Sequence, residues 1–455
     1  MDTLRSIADD HTALAERLRS EGVKWAFGAW SDIAGRPKGK VVPIDNLPGM
    51  LAGSERYTPR GMGNLGEMNP NEEESVGIPD PASVRILPWD PTVAFFAANL
   101  VFAGKEPFSN CPRSILQSVL DRLEADGRRF MLGVEVEFHI FQRDKLPELV
   151  PLAASNLLYP TPAYDIESTM DSMPVLTEIA EHMQAADLGL FSFDQEGGSG
   201  QYELDFTHAE VTDMCDRLMF LRLLLRHVAK NHDAVVSFMP KPSHDSWGSG
   251  AHMNMSLEDI ETGENLFIEG TGEDRCWTPM AMSFAAGLLR HANALAALTC
   301  PTVNSYKRLV PRLSDGSVSW APVWAEYGTN NRSCMLRLPG NRPAIENRTV
   351  DTSANMYIAS AFSLAAGLEG IALGLDPGEA VKDNASWRDE SSGPKGRRIP
   401  RNLLEAIEAF EDDPLVHETF PAPFVRDYIA MRRGEWNEYH EKVSPWEFDR
   451  YFENT

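Results

Sequence analysis

Apolar positions change their spacing along the chain, and each change marks a new kind of element. In residues 3 to 20, Leu4, Ile7, Leu14 and Leu18 recur at helical intervals. From Val23 to about Val101 the apolar runs shorten and turn formers break them. This predicts strands over Trp25–Trp30, Gly39–Pro43, Ser83–Leu87 and Val93–Phe96. The stretch from Arg60 to Pro81, rich in Gly, Asn, Pro and Glu, reads as a long loop. Pro112 then opens a helix over Ser114–Ala125 that stops at Gly127. Beyond it, strands are expected over Phe130–Phe141 and Val235–Met239, and helices over Val211–Lys230, Met280–Leu298 and Ala354–Leu373. The segments Asn402–Glu411 and Phe424–Phe452 read as charged helices. The change of pattern places a domain boundary near residue 108, dividing a small unit, 1–108, from a large one, 109–455.

Composition adds constraints. The 455 residues carry 42 Lys and Arg against 67 Asp and Glu, a formal net charge of −25. Such a chain repels nucleic acid phosphates and anionic lipid, so neither nucleic acid nor membrane is expected as a partner. Residues 354 to 375 are apolar enough to suggest a membrane span. Their Ala, Ser and Gly content, Glu369 and the lack of flanking basic clusters indicate a buried helix instead. The first twenty residues have no apolar core of the signal-peptide kind. Five scattered cysteines form no CxxC pair, and a reduced, cytoplasmic protein is expected.

Four clusters carry candidate chemistry. In G-V-E-V-E-F (133–138), strand alternation sends Glu135 and Glu137 to one face and Val134, Val136 and Phe138 to the other. A solvent-facing strand would show this pattern, and so would a pair of cation ligands. Glu196 and Glu203 flank a Gly-rich turn, which taken alone could also be an acidic hairpin. The loop Gly248-Ser249-Gly250 leads into His252 and Asn254, and such a loop brings backbone amides close to an anionic ligand. Arg332, Arg337, Arg342 and Arg348 surround Glu346, a grouping that suits forked recognition of phosphate or carboxylate as well as a surface ion network.

These pieces, in this order, resemble glutamine synthetase over residues 108 to 450. The resemblance also rests on F-M-P-K-P (238–242), N-S-Y-K-R-L-V-P (304–311), N-R-S-C-M-L-R-L-P (331–339) and I-E-N-R (345–348). It implies an α+β fold, with a small N-terminal β-grasp domain and a large catalytic domain whose antiparallel sheet is flanked by helices. It further implies ATP as co-substrate, L-glutamate as acceptor of its γ-phosphate, and two or more Mg²⁺ or Mn²⁺ ions per site. Glu137, Glu196 and Glu203 would hold one ion; Glu135, His252 and Glu346 would hold the other. Arg332, Arg337 and Arg348 would clamp phosphate or glutamate, and Arg308 would grip the glutamate carboxylate. Gly248, Ser249 and Gly250 would line the glutamate site, with Asn254 and Ser256 on the nucleotide side. The family assembles as stacked hexameric rings, so a homo-oligomer is implied.

The chain departs from the family pattern where the family binds ammonium. The flap expected to contain Tyr-Glu-Ala-Pro reads Ser319-Trp320-Ala321-Pro322 and is longer. The acidic segment of the small domain is missing, with Arg60-Gly61-Met62-Gly63 in its region, and Trp247 replaces the Asn that opens the Gly-rich loop. These changes resemble the branch of the family that uses methylamine, with Trp320 beside Trp324 or Tyr327 in an alkylamine pocket and Asp315 or Glu326 as the amine's base. Ammonia, ethanolamine or a polyamine as acceptor, and a non-catalytic assembly, are the alternatives. The segment Lys382–Arg388 lacks the Tyr that adenylylated relatives carry, so no such control is expected.

Overall fold

The computed structural model describes residues 2–58, 73–102, 104–153, 162–270, 275–388 and 397–453. Helix α1 (Asp2–Ser20) precedes β1 (Trp25–Ser31) and β2 (Pro37–Pro43), and α2 (Leu47–Leu51) follows. Then come β3 (Arg56–Tyr57), β4 (Ser75–Pro79), β5 (Arg85–Leu87) and β6 (Asp90–Val101). They form one six-stranded sheet ordered β2-β1-β6-β4-β3, with β5 also on β6. The pairing of β1 with β6 is parallel and the rest antiparallel. Part of the stretch expected as loop is therefore strand: β4 begins within it, with Ser75, Val76, Gly77 and Pro79 all buried, so that both faces of the strand are covered. The Arg60-Gly61-Met62-Gly63 segment lies outside the described residues.

Helix α3 (Pro112–Ala125) leads into the long β7 (Arg128–Gln142), the axis of the second sheet. After it come α4 (Ile166–Ala185), β8 (Leu190–Gln195), β9 (Gln201–Phe206), β10 (Ala209–Glu210), α5 (Val211–Asn231), β11 (Ala234–Ser237) and β12 (Ala251–Asp259). Short β13 (Ile268–Glu269) and β14 (Cys276–Trp277) pair with each other. Helices α6 (Pro279–Arg290), α7 (Ala292–Thr299) and α8 (Ser305–Arg308) then precede β15 (Trp324–Ala325), β16 (Tyr327–Thr329), β17 (Leu336–Leu338) and β18 (Ile345–Asn347). The chain ends with α9 (Met356–Leu373), β19 (Arg397–Arg398), α10 (Leu403–Asp412), α11 (Pro414–Thr419), α12 (Ala422–His440) and α13 (Pro445–Tyr451).

The second sheet has nine strands, with the path β16-β17-β18-β12-β7-β9-β8 and β10 and β11 on β7. All its pairings are antiparallel except β16 with β17. One face rests on the helices through a continuous apolar core that includes Phe130, Val134, Phe138, Phe220, Phe284 and Phe362. The apolar segment near residue 360 is α9, long enough to cross a membrane but mostly buried within the fold. It lies against α6 so closely that a Cβ on Gly287 would be 2.0 Å from the Ala366 carbonyl oxygen. The helix expected over 280–298 is two, broken at His291, and the last helical stretch breaks between His440 and Pro445. The five cysteines are free thiols, only Cys276 being exposed.

Candidate active site

The polar face of the second sheet assembles its chemistry in transverse rows. On β7, Glu135 and Glu137 project to the same side, as alternation requires. Strand β9 sets Glu203 opposite Glu137 and Asp205 opposite Glu135. Strand β8 sets Asp194 opposite Glu203. On the other edge of β7, β12 sets His252 opposite Glu135. Farther out, Glu346 on β18 pairs with Asn254, and Arg337 on β17 pairs with Glu346. Glu196 stands at the end of β8, where its Oε2 accepts the Gly197 N–H at 3.0 Å.

Burial and mutual repulsion act together on these carboxyls. Burial and the nearby Glu196 push Glu137 up to about 8. Burial, Glu137 and Glu135 hold Glu203 well above the ordinary range, and burial with Glu196 pushes Asp194 up to about 7. Glu135 goes the other way. Burial opposes its ionisation, but the hydrogen bond and charge of His252, with Arg342 and Arg348, hold it well below the usual value. Burial and Arg348 bring His252 down to about 4, so its ring is neutral near pH 7. Its Nδ1 lies 3.0 Å from Glu135 and its Nε2 3.7 Å from Glu137.

A fan of arginines balances the carboxylates. Arg348 donates to Glu346 Oε1 at 2.5 Å, while Arg337 and Arg342 donate to Oε2 at 2.7 and 2.8 Å. Arg342 also reaches Glu135 at 2.6 Å. Arg308 comes from α8 and donates to the Thr349 and Arg348 carbonyls at 2.9 and 3.1 Å. The Gly-rich loop packs tightly over this floor. The Gly250 N–H donates to Glu137 at 2.9 Å, and the Gly248 carbonyl accepts from Gln201 at 3.1 Å. Ser249 is buried, its Oγ 3.1 Å from His139 Nδ1.

Most of these groups line a cavity of about 460 Å³, with Glu346, Ser249 and Gly250 packed behind its wall. Glu135, Glu137, Glu196, Glu203, His252, Gly248, Arg308, Arg332, Arg337, Arg348 and Trp320 all border it. Trp320 is 38% exposed and adopts φ +59, a left-handed conformation that strains a bulky residue. The remaining sequence candidates sit elsewhere. Asn254 donates to Glu135 at 3.1 Å without bordering the cavity, and Ser256 is buried farther along β12. Asp315 is in an exposed turn capping the Ser317 N–H at 2.9 Å. Glu326 is held by Arg388 at 2.5 Å, and neither of these two acids lines the cavity. Trp324 is buried in a small separate cluster, and Tyr327 joins the main core.

The cavity also contains residues to which the motifs assign no role: Tyr164, Asp194, Asp205, Lys241 and Leu313. The acids were within reach of strand periodicity, since Asp194 lies two residues before Glu196 and Asp205 two after Glu203.

A model of the glutamine synthetase catalytic domain matches residues 109–451. The chain belongs to the glutamine synthetase family. The glutamate–methylamine ligase of Methyloversatilis universalis is 34% identical over 443 residues, spanning 96% of this chain and 98% of its own length. The glutamine synthetase of Pyrococcus horikoshii is 34% identical over 454 residues, with 94% and 96% covered. A solved GmaS–ADP complex superposes with a TM-score of 0.88 at 32% identity, covering 96% of this chain and 99% of its own.

The donor set of this glutamine synthetase-family site fits divalent cations. Among the described residues, three groups bring their ligand atoms within 4.8 Å of one another: Glu135, His252 and Glu346; Glu137, Glu203 and His252; and Asp194, Glu196 and Glu203. The first group has the residues of one set that the family resemblance implies. The acids of the other set divide between two groups that share Glu203, and Asp194 joins them. Carboxylate oxygens with a single imidazole suit Mg²⁺ or Mn²⁺. So many buried carboxyls repel one another unless a cation lies among them.

Proposed function

We propose that this chain joins a small alkylamine, methylamine first, to the γ-carboxylate of L-glutamate at the expense of ATP. The observation that carries this reading is the cavity's mixed lining. Carboxylates and arginines cover its floor, and Trp247 and Trp320 contribute aromatic wall where ammonium chemistry would call for more polar groups. The relative from Methyloversatilis universalis, similar over nearly its whole length, supports the same amine.

Divalent ions bound among the carboxylates would neutralise phosphate charge, and the protein's own groups would do the rest. Arg332, Arg337 and Arg348 hold the γ-phosphate, with Asn254 and Ser256 on the nucleotide side. Arg308 and the backbone of Gly248–Gly250 hold glutamate, so that a side-chain oxygen faces the γ-phosphorus in line with the leaving ADP. That oxygen attacks, the bond to the bridging oxygen breaks, and γ-glutamyl phosphate forms. The amine nitrogen then attacks the acyl carbon and phosphate departs with the bonding pair. The alkylammonium gives up one proton before its nitrogen attacks and a second as the amide forms. Asp194, which borders the cavity, receives each in turn and passes it to solvent, since Asp315 and Glu326 lie outside the cavity.

Glutamate labelled with ¹⁸O in its side-chain carboxylate tests this route. One labelled oxygen should appear in the released phosphate, and unlabelled phosphate would refute the acyl phosphate.

Ammonia is the second reading, supported by the Pyrococcus horikoshii glutamine synthetase at the same identity. We further infer a β-grasp-like unit within 1–108, a catalytic unit over 109–455, and assembly of several copies into stacked rings, which native mass spectrometry would test. The six-stranded sheet confined to residues 25–101 supports the division.

A further inference from the structure

Trp247 and Gly197 form a matched pair in the cavity wall. A Cβ on Gly197 would lie 2.5 Å from Cδ2, 2.6 Å from Cε3 and 2.8 Å from Cε2 of the Trp247 indole. Three neighbouring ring atoms at nearly equal distance mean that the ring lies flat on the Gly197 backbone. No larger residue leaves room for this seat. The next residue is packed in the same way, since a Cβ on Gly198 would lie 2.9 Å from Ser246 Oγ. The segment carrying Trp247 is thus laid along the turn that begins at Glu196. Trp247 borders the same cavity as Asp194, Glu196 and Trp320.

We propose that Trp247 is a specificity-determining residue for the amine. Its indole, seated on Gly197, is the fixed apolar wall against which the alkyl group of the incoming amine rests, beside the acidic face formed by Asp194 and Glu196. An alkylammonium gains from both, because its carbon packs on the ring while its charge faces the carboxylates and the ring's electron-rich surface. Ammonium has no carbon to place there. The role differs from that of Trp320, which reaches the cavity in a strained, left-handed conformation and has no such glycine seat among the described residues. This inference rests on the alkylamine-ligase reading and deepens it by assigning the wall that selects the substrate class.

The test compares the full-length wild type with Trp247→Ala, Trp247→Phe and Gly197→Ala. For each, kcat and KM are measured for methylamine and ammonium, and KM for glutamate and ATP. Trp247→Ala should raise the methylamine KM about 2- to 30-fold, with kcat and the other KM values within about twofold. Trp247→Phe should restore most of the loss. Gly197→Ala, which keeps the indole but lifts it from its seat, should also raise the methylamine KM more than the ammonium KM, on top of any loss through Glu196, which the Gly197 N–H holds. A Trp247→Ala enzyme with unchanged methylamine KM would overturn the proposal, and so would one whose main defect is in glutamate KM. If Trp247→Ala does not fold, Gly197→Ala and Trp247→Phe carry the same comparison. Wild-type preference for ammonium would instead defeat the alkylamine reading itself. Wild-type preference for methylamine that survives in the variants would defeat the role of Trp247 alone.

Discussion

Glu137 and Glu203 face each other directly across the β7–β9 ladder, both on the cavity side of the sheet. Like charges in that position oppose strand pairing by about 0.2–1 kcal/mol, so the fold tolerates the pair for a reason other than stability. We propose cation binding as that reason, which makes opposite predictions for the protein with and without metal. At pH 9, where Glu137 is ionised, Glu203→Gln should raise the stability of the metal-free protein by about 0.2–1 kcal/mol, an effect that fades as pH falls and the pair takes up protons. It should also lower the stabilisation by Mg²⁺ or Mn²⁺, which for a single site reaches about 2.7 kcal/mol when the ion is at 100 times its Kd. Thermal unfolding with and without metal measures both effects. A wild-type midpoint that does not respond to either ion would rule out the cluster as a metal site.

His291 predicts a pH dependence far from the cavity. It breaks α6 from α7, with Nδ1 2.7 Å from Asp413 and Nε2 2.7 Å from Glu369. Burial alone would lower its pKa, but the bonds to Asp413 and Glu369 carry it above the ordinary value. Arg290 also faces Glu369, at 3.3 Å. A raised folded-state pKa means that the folded protein binds the proton more tightly. The contribution is therefore complete below about pH 6.5, the unfolded value, and is lost as pH rises through the folded value. Wild type should be more stable than His291→Gln at pH 6, with the gap narrowing by pH 9. Denaturant titrations at the two pH values measure it, and a constant gap would contradict the charged clamp.

Trp320 separates a side-chain effect from a backbone effect. A left-handed conformation costs a non-glycine residue about 1–2 kcal/mol. Trp320→Gly and Trp320→Ala remove the same ring, so both should raise methylamine KM by about 2- to 30-fold. Only the glycine variant relieves the strain, and it should be about 1 kcal/mol more stable than the alanine variant. Equal stabilities would mean that the flap readjusts when the ring is removed. Unchanged methylamine KM would free Trp320 of any role in the amine pocket.

Much of the catalytic sheet was legible in the sequence because its strands alternate cleanly. Glu135 and Glu137 were placed by that period and His252 by the Gly-rich loop before it, and the sheet brings all three together. The arginines around Glu346 were legible as a cluster, although which oxygen each one takes depends on β17, β18 and their register. Long-range geometry was hidden. Asp315 and Glu326 are near Trp320 in sequence, but a local turn claims one and Arg388 the other. Helix α4 gave little signal because Pro174 and polar residues interrupt its apolar stripe. The break at His291 could not be read from periodicity, and neither could its partners, Glu369 on α9 and Asp413, the residue that caps α11. Strand β4 was masked by the Gly- and Pro-rich stretch around it.

The central claim is that this member of the glutamine synthetase family ligates an alkylamine to glutamate. The most direct measurement is the ratio of kcat/KM for methylamine to that for ammonium, followed as phosphate release with glutamate, ATP and Mg²⁺ and with the amide product identified by mass. The account predicts a ratio well above one and γ-glutamylmethylamide as the product. A ratio below one, with glutamine the favoured product, would contradict it and make this chain a glutamine synthetase with a rebuilt ammonium site.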